Sequence, residues 1–141
     1  MSNFKDKISI ISPMTSDKNK TNVFISKNFK LEEAEISFSL FNVSIQKKYY
    51  LRLYIENDSG EIISEMYYNI DMPNLSFESV TIIPESRAAS ISFSVPLPEI
   101  KLEDSYQAFR ISLELLKEPT TNSDDTLDKH SSYIYVKNEE L

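Results

Sequence analysis

Cysteine and tryptophan are absent from this chain of 141 residues, and glycine and histidine occur once each, as Gly60 and His130. Each absence removes a class of chemistry. Without cysteine there is no disulfide, no thiolate zinc site and no cysteine nucleophile. With one glycine there is no glycine-rich phosphate cradle and no nucleophile elbow, since each needs several. Long apolar runs are missing too. Nothing approaches the 18 residues of a membrane-spanning helix, and the run from Ile8 to Ile11, broken by Ser9, is too short for the core of a signal peptide. The expectation is a cytoplasmic protein with no leader and no membrane partner.

Positive charge is also scarce. Fifteen Lys and Arg stand against 22 Asp and Glu, a net charge of −7, with Arg52, Arg87 and Arg110 the only arginines and Lys47–Lys48 the tightest basic pair. A polyanion needs a basic groove, so nucleic acid is not an expected partner. The abundance of Lys, Asn, Ile and Ser suits an AT-rich coding sequence, hence a bacterial or phage origin.

What the chain does have is alternation. Hydrophobic residues recur with a period of two, the mark of strands with one face buried. Ala34, Ile36, Phe38 and Leu40 share one face, with Glu35, Ser37 and Ser39 on the other. Tyr49, Leu51, Leu53 and Ile55 do the same, opposite Tyr50, Arg52, Tyr54 and Glu56. Asn57-Asp58-Ser59-Gly60 then supplies a turn, because Gly60 enters a left-handed conformation without steric cost. A partner strand follows over Glu61 to Ile70, with Ile62, Ser64, Met66, Tyr68 and Ile70 on one face. Leu75 to Ile83 is weaker, Ala89 to Val95 alternates as cleanly as the first run, and Pro96 and Pro98 close it. Tyr106 to Leu116 fits both a strand and a helical face, and its setting among strands favours a strand. Lys117 to Lys129 has no period and reads as a mobile acidic loop, mainly residues 118–129. Ser132 to Lys137 is the last strand, before a charged tail at 138–141.

Two stretches look alike: Ile36-Ser37-Phe38-Ser39-Leu40 followed by Tyr49-Tyr50-Leu51-Arg52-Leu53, and Ile91-Ser92-Phe93-Ser94-Val95 followed by Tyr106 to Ile111. Either a unit is duplicated or the strands of one sandwich share one grammar. Both lead to the same fold class, an all-β antiparallel β-sandwich with Ig-like Greek-key or jelly-roll connections, eight or nine strands, and a single domain over 1–141. The pattern resembles an immunoglobulin-like sandwich that lacks the Cys…Trp…Cys core signature. The expected core is Ile36, Phe38, Leu40, Leu51, Leu53, Ile91, Phe93, Val95, Ile111 and Leu113.

Candidate chemistry is thin. His130 has Asp128, Ser131 and Ser132 close in sequence, yet adjacent residues rarely converge on one atom, and a solvated histidine is the simpler reading. Glu118, Asp124, Asp125 and Asp128 could offer oxygens to Ca²⁺, but the EF-loop pattern with its glycine is absent. No catalytic residue, metal or cofactor is expected.

The tyrosines are more suggestive. Tyr50, Tyr54, Tyr67, Tyr133 and Tyr135 fall on the faces opposite the aliphatic ones, where aromatics pack a second layer, stack sugar rings or anchor a protein. Serine-rich faces (Ser37, Ser39, Ser90, Ser92, Ser94) are flat, uncharged and suited to being covered. The sequence therefore points to a non-enzymatic protein-interaction module, acting on a protein partner or as a homo-oligomer. The alternative is a carbohydrate- or small-ligand-binding sandwich that uses the same tyrosines.

Overall fold

Burying one face of each alternating run requires a second sheet to cover it, and the chain meets that requirement with eleven strands among the described residues. The structure is a computed structural model that describes residues 4–31, 33–75, 80–82, 88–119 and 123–139. Its strands are β1 (Lys7–Thr15), β2 (Val23–Lys27), β3 (Lys30–Leu31), β4 (Ala34–Ser44), β5 (Lys48–Asn57), β6 (Ile62–Asp71), β7 (Val80–Ile82), β8 (Ala88–Pro96), β9 (Ile100–Lys101), β10 (Tyr106–Leu116) and β11 (Thr126–Glu139). Helical structure among the described residues is confined to two three-residue 3-10 turns, Met72–Asn74 and Ser123–Asp125.

The strands form a four-stranded sheet, β1-β4-β8-β7, and a seven-stranded sheet, β6-β5-β10-β11-β2-β3-β9. The first order matches A-B-E-D of an immunoglobulin-like sandwich, and the run β6-β5-β10-β11 matches C′-C-F-G. Two expectations are corrected. The strands exceed eight or nine because two short pieces at one end of the larger sheet, β3 and β9, carry too few residues to show a period. The sheets are not wholly antiparallel, because β2 runs parallel to β11. That parallel pair arises because the N-terminal segment changes sheets: β1 pairs with β4 in one, and β2 crosses to the far side of β11 in the other.

The core is the set of inward residues. Eight of the ten expected core residues are buried, and Phe38 stacks on Phe93 with ring centroids 5.4 Å apart. Phe93 and Val95 are only half-buried. The reason is topological: β7 pairs with β8 only at Ala89, Ser90 and Ile91, so beyond Ile91 no described strand flanks β8 on that side. The two look-alike stretches turn out to be neighbours. Phe38 opposes Phe93, Ser37 opposes Ser94 and Ser39 opposes Ser92, while β5 pairs with β10. Like residues face like surroundings across the same ladder.

Buried polar groups fasten the two sheets. The fully buried Tyr49 on β5 donates its hydroxyl hydrogen bond to Asp6 (2.7 Å) and accepts one from the Ser44 amide of β4 (2.7 Å). Burial and the Asp6 carboxylate both push the Tyr49 hydroxyl well above the usual phenol range. The Asn57–Gly60 turn forms as the sequence implies, with Gly60 at φ +85° and the Asn57 side chain accepting from the Ser59 and Glu61 amides.

The C-terminal third departs from the sequence reading. Residues 126–129 of the expected acidic loop are the start of β11, and Asp128 accepts a 2.7 Å hydrogen bond from the Ile8 amide of β1. The expected charged tail is partly strand as well. Asn138 is buried, and its side-chain oxygen accepts from the Ser26 hydroxyl (3.1 Å) and the Phe29 amide (2.7 Å), which joins β11 to the β2–β3 turn. Of the weak stretch Leu75 to Ile83, residues 80–82 form β7, and residues 76–79 and 83 lie outside the described residues.

Because Phe38 is enclosed and Phe93 is not, truncation should separate them. Phe38→Ala should cost about 3–5 kcal/mol and Phe93→Ala roughly half as much. Urea unfolding of the two variants checks the order, and equal losses would contradict it.

Candidate functional site

The outer face of the larger sheet is built from residues of the opposite parity to the core. Across β6, β5 and β10 it is polar and closed. Arg52 donates to Glu65 (Nε, 2.9 Å) and to Glu114 (3.1 Å), and its guanidinium lies 4.1 Å from the centre of the Tyr54 ring. Lys129 approaches the same ring at 5.4 Å. Burial works against the charge on Arg52, yet the Glu65 hydrogen bond and the two carboxylates outweigh it and raise its pKa. Tyr54, expected to be an exposed platform, is thus only 4% exposed. That expectation is corrected because long charged side chains lie over the ring.

Moving across the sheet, the same face changes character. Tyr133 and Tyr135 on β11, Tyr106 on β10, and Val23 and Ile25 on β2 are all exposed, by 61%, 43%, 52%, 58% and 61%. The register explains why they cluster. Tyr135 stands opposite Ala108 on one side and Val23 on the other, and Lys137 stands between Tyr106 and Ile25. The Tyr106 and Tyr135 rings lie 5.9 Å apart, and the Lys137 ammonium sits 5.8 Å from the Tyr106 ring. The surface is a strip of apolar and aromatic side chains on three adjacent strands.

The five sequence-predicted tyrosines therefore divide. Tyr133 and Tyr135 come together, Tyr67 is exposed on β6 at the other side of the sheet, Tyr50 is half-buried, and Tyr54 is covered. Sequence reasoning missed Tyr106, Val23 and Ile25. A signal for the last two existed: Val23-Phe24-Ile25 is three apolar residues in a row, and a strand cannot turn all three inward.

Beside Tyr133 lies a concavity of about 310 Å³ between Glu56, Asp58 and Gly60 at the β5–β6 turn and Arg110 of β10. Arg110 grips Glu56 with two hydrogen bonds, of 3.0 and 2.7 Å. The pair shifts both partners toward their charged forms: the Arg110 hydrogen bond holds Glu56 below the ordinary 4.5, and Glu56, then Tyr133, raise Arg110.

This fold has solved counterparts. It is similar to a bacterial adhesin from Mobiluncus mulieris containing intramolecular disulfide, isopeptide and ester bond cross-links, with a TM-score of 0.68, 14% identity, and coverage of 96% of this chain and 58% of that chain. It is similar as well to part of a glycosyl hydrolase family 2 member from Bacteroides cellulosilyticus, with a TM-score of 0.57, 10% identity, and coverage of 92% of this chain and 15% of that one. A Bacteroides uniformis β-glucuronidase matches at a TM-score of 0.50 and 13% identity over 87% of this chain and 12% of its own. No protein-family model matches the chain, and no curated protein matches its sequence. At these identities the likeness is one of fold. The chain spans little more than half of the adhesin and a small part of each hydrolase, so it matches a sandwich within them. Of the adhesin's cross-links, a disulfide has no counterpart in a chain without cysteine, and none of the described lysines is buried.

The remaining candidates stand apart from this surface. His130 is half-exposed on the opposite side of β11, with Nε2 3.5 Å from Asp128, while the Ser131 hydroxyl bonds to Ser112 through the other face (2.8 Å). Among the described residues no three His, Asp or Glu side chains converge on a metal position. Asp128 is already engaged by β1.

Two outcomes follow for stability. Tyr54→Ser should cost about 3 kcal/mol, while Tyr133→Ser should stay within about 0.5 kcal/mol of the parent, as thermal melts of both would show. Acid should weaken the fold through Glu56. Its folded pKa lies below the unfolded 4.5, so its contribution is complete above pH 4.5 and is lost as pH falls through the folded value. In Glu56→Gln the melting temperature should depend less steeply on pH below 4.5, and an unchanged slope would refute the assignment.

Proposed function

We propose that the protein is a non-enzymatic protein-interaction module whose binding surface is the strip of Tyr106, Tyr133, Tyr135, Val23 and Ile25. The observation that supports this most is the exposure of five apolar or aromatic side chains on three adjacent strands of one rigid sheet. Tyrosines suit such a role because they bring large area with few rotatable bonds, and their hydroxyls tolerate water when no partner is bound. A charge of −7 favours a protein over nucleic acid. The concavity beside Tyr133 serves the strip as a socket for one anchoring side chain of the partner. The same concavity supports a second reading, a carbohydrate ring stacked on Tyr133 with its hydroxyls bonded to the Arg110–Glu56 pair.

The double variant Tyr133→Ser/Tyr135→Ser tests the reading. Proteins captured by the parent from its native host should be lost from the variant, while both melt within a few degrees of each other. Unchanged capture removes the strip from the binding surface. Binding of simple saccharides by the parent, abolished by Tyr133→Ser, would favour the second reading.

A further inference from the structure

A sheet edge exposes a row of unpaired amide and carbonyl groups that can template another strand unless something blocks it. Among the described residues, three of the four sheet edges are short or interrupted. β1 carries Pro13 and a register shift between Ser9 and Ile11, and its Ile8 amide is taken by Asp128. β7 has three residues and leaves β8 open only over the short stretch from Ser92 to Pro96, which ends at a proline, and β9 has two residues. Where β2 runs past the end of that short cover, the Thr21 hydroxyl donates to the Val23 carbonyl (2.9 Å) and accepts from its amide (3.1 Å). Both groups point away from β11, since the carbonyl of the preceding Asn22 is the one that accepts from Tyr135 of that strand.

β6 is the exception. It is ten residues long, contains no proline, lysine or arginine, and among the described residues nothing pairs with its outer edge. The Met72 amide bonds inward to the Lys47 carbonyl, so alternation points the backbone groups of Glu65, Tyr67, Asn69 and Asp71 outward. Tyr67 is 43% exposed in the middle of this row.

The charges on β6 select the occupant's register. Antiparallel self-pairing must put residues of like parity opposite one another. A two-fold axis at Glu65 would oppose the two Glu65 carboxylates, one at Tyr68 would set Glu65 against Asp71, and one at Met66 would leave only residues 64–68 in register before the bulge at Ile63. An axis at Tyr67 avoids every such clash. It places Tyr67 against Tyr67 of the second copy, Glu65 against Asn69, Met66 against Tyr68 and Ser64 against Ile70. The first three are aromatic, polar and sulfur–aromatic pairs that suit cross-strand neighbours, and the fourth is uncharged. Glu65 is already neutralised by Arg52 within its own chain.

We infer that the protein forms a two-fold dimer by antiparallel β6–β6 pairing centred on Tyr67. The two larger sheets become one continuous sheet, and because the axis is perpendicular to it, both tyrosine strips face the same side. A multivalent partner then meets two sites at once. The inference does not depend on the proposed function, since it uses a different edge of the sheet.

Because the chain has no cysteine, single substitutions report the register directly. Tyr67→Cys should oxidise to a disulfide-linked dimer, whereas Asn69→Cys should not, since the two copies of residue 69 are four positions out of register, about 13 Å along the strand. The parent should sediment at twice 16.3 kDa and Tyr67→Lys as a monomer. Asn69→Glu, which sets a like charge against Glu65 of the second copy, is the second monomerising variant should the first fail to fold. A parent that is monomeric at the highest concentration reached overturns the dimer, as would occur if the edge instead receives an extended peptide of another protein. Cross-linking of Asn69→Cys, or of Val23→Cys in the tyrosine strip, in preference to Tyr67→Cys overturns the geometry.

Discussion

A sandwich without a disulfide depends on the fit of its two inner faces. Here that fit is carried by the aliphatic rows of β4, β5 and β10, with the Phe38–Phe93 stack reaching toward the β8 side. Apolar contact is non-directional and would allow the sheets to slide or rotate on one another. The buried Tyr49 hydroxyl removes that freedom. It reaches from the larger sheet to the Ser44 amide and the Asp6 carboxylate beside the smaller one, and loss of either partner would leave a polar group unsatisfied in the core. The Asp128–Ile8 bond acts likewise between β11 and β1. Since β1 and β2 belong to different sheets, the N-terminal segment is itself a strap across the open side of the sandwich.

How much of this was legible followed from one condition: a strand announces itself when one face is buried and the other is wet. β4, β5, β8 and most of β6 meet it, and their periods are plain. β1 does not, because the register shift between Ser9 and Ile11 breaks its parity and Pro13 reads as a stop, although a proline amide on an edge costs no ladder bond. β2 fails differently, with apolar residues on both faces. The first half of β11 shows the opposite defect. Residues 129–131 are exposed on both faces, so Lys129, His130 and Ser131 look like loop although they pair with β10. For the same reason the acidic residues before them gave no hint that Asp128 would cap an amide of β1.

The tyrosines were the hardest part to read, because outward parity does not decide exposure. Tyr54 and Tyr135 lie on the same face of the same sheet. Tyr54 is ringed by Arg52, Glu65 and Lys129, whose long side chains fold over the aromatic ring and are held there by carboxylates and the ring itself. Tyr135 stands between Ala108 and Val23, which are too short to cover anything. Parity is written in the sequence, whereas the identity of cross-strand neighbours appears only when the register is known.

That neighbour rule also explains why the exposed strip is aromatic instead of charged. Only two arginines lie among the described residues, and both are bound to carboxylates of their own sheet: Arg52 to Glu65 and Glu114, and Arg110 to Glu56. Partners recruited by guanidinium groups would first have to break those pairs and leave Glu56 and Glu114 uncompensated in half-enclosed surroundings, a penalty of several times the thermal energy. The strip carries no such cost. Its tyrosines are already oriented by β10 and β11, so association there orders few new torsions and displaces only water. On a face whose two arginines are already paired, exposed aromatic area is what the proposed binding would draw on.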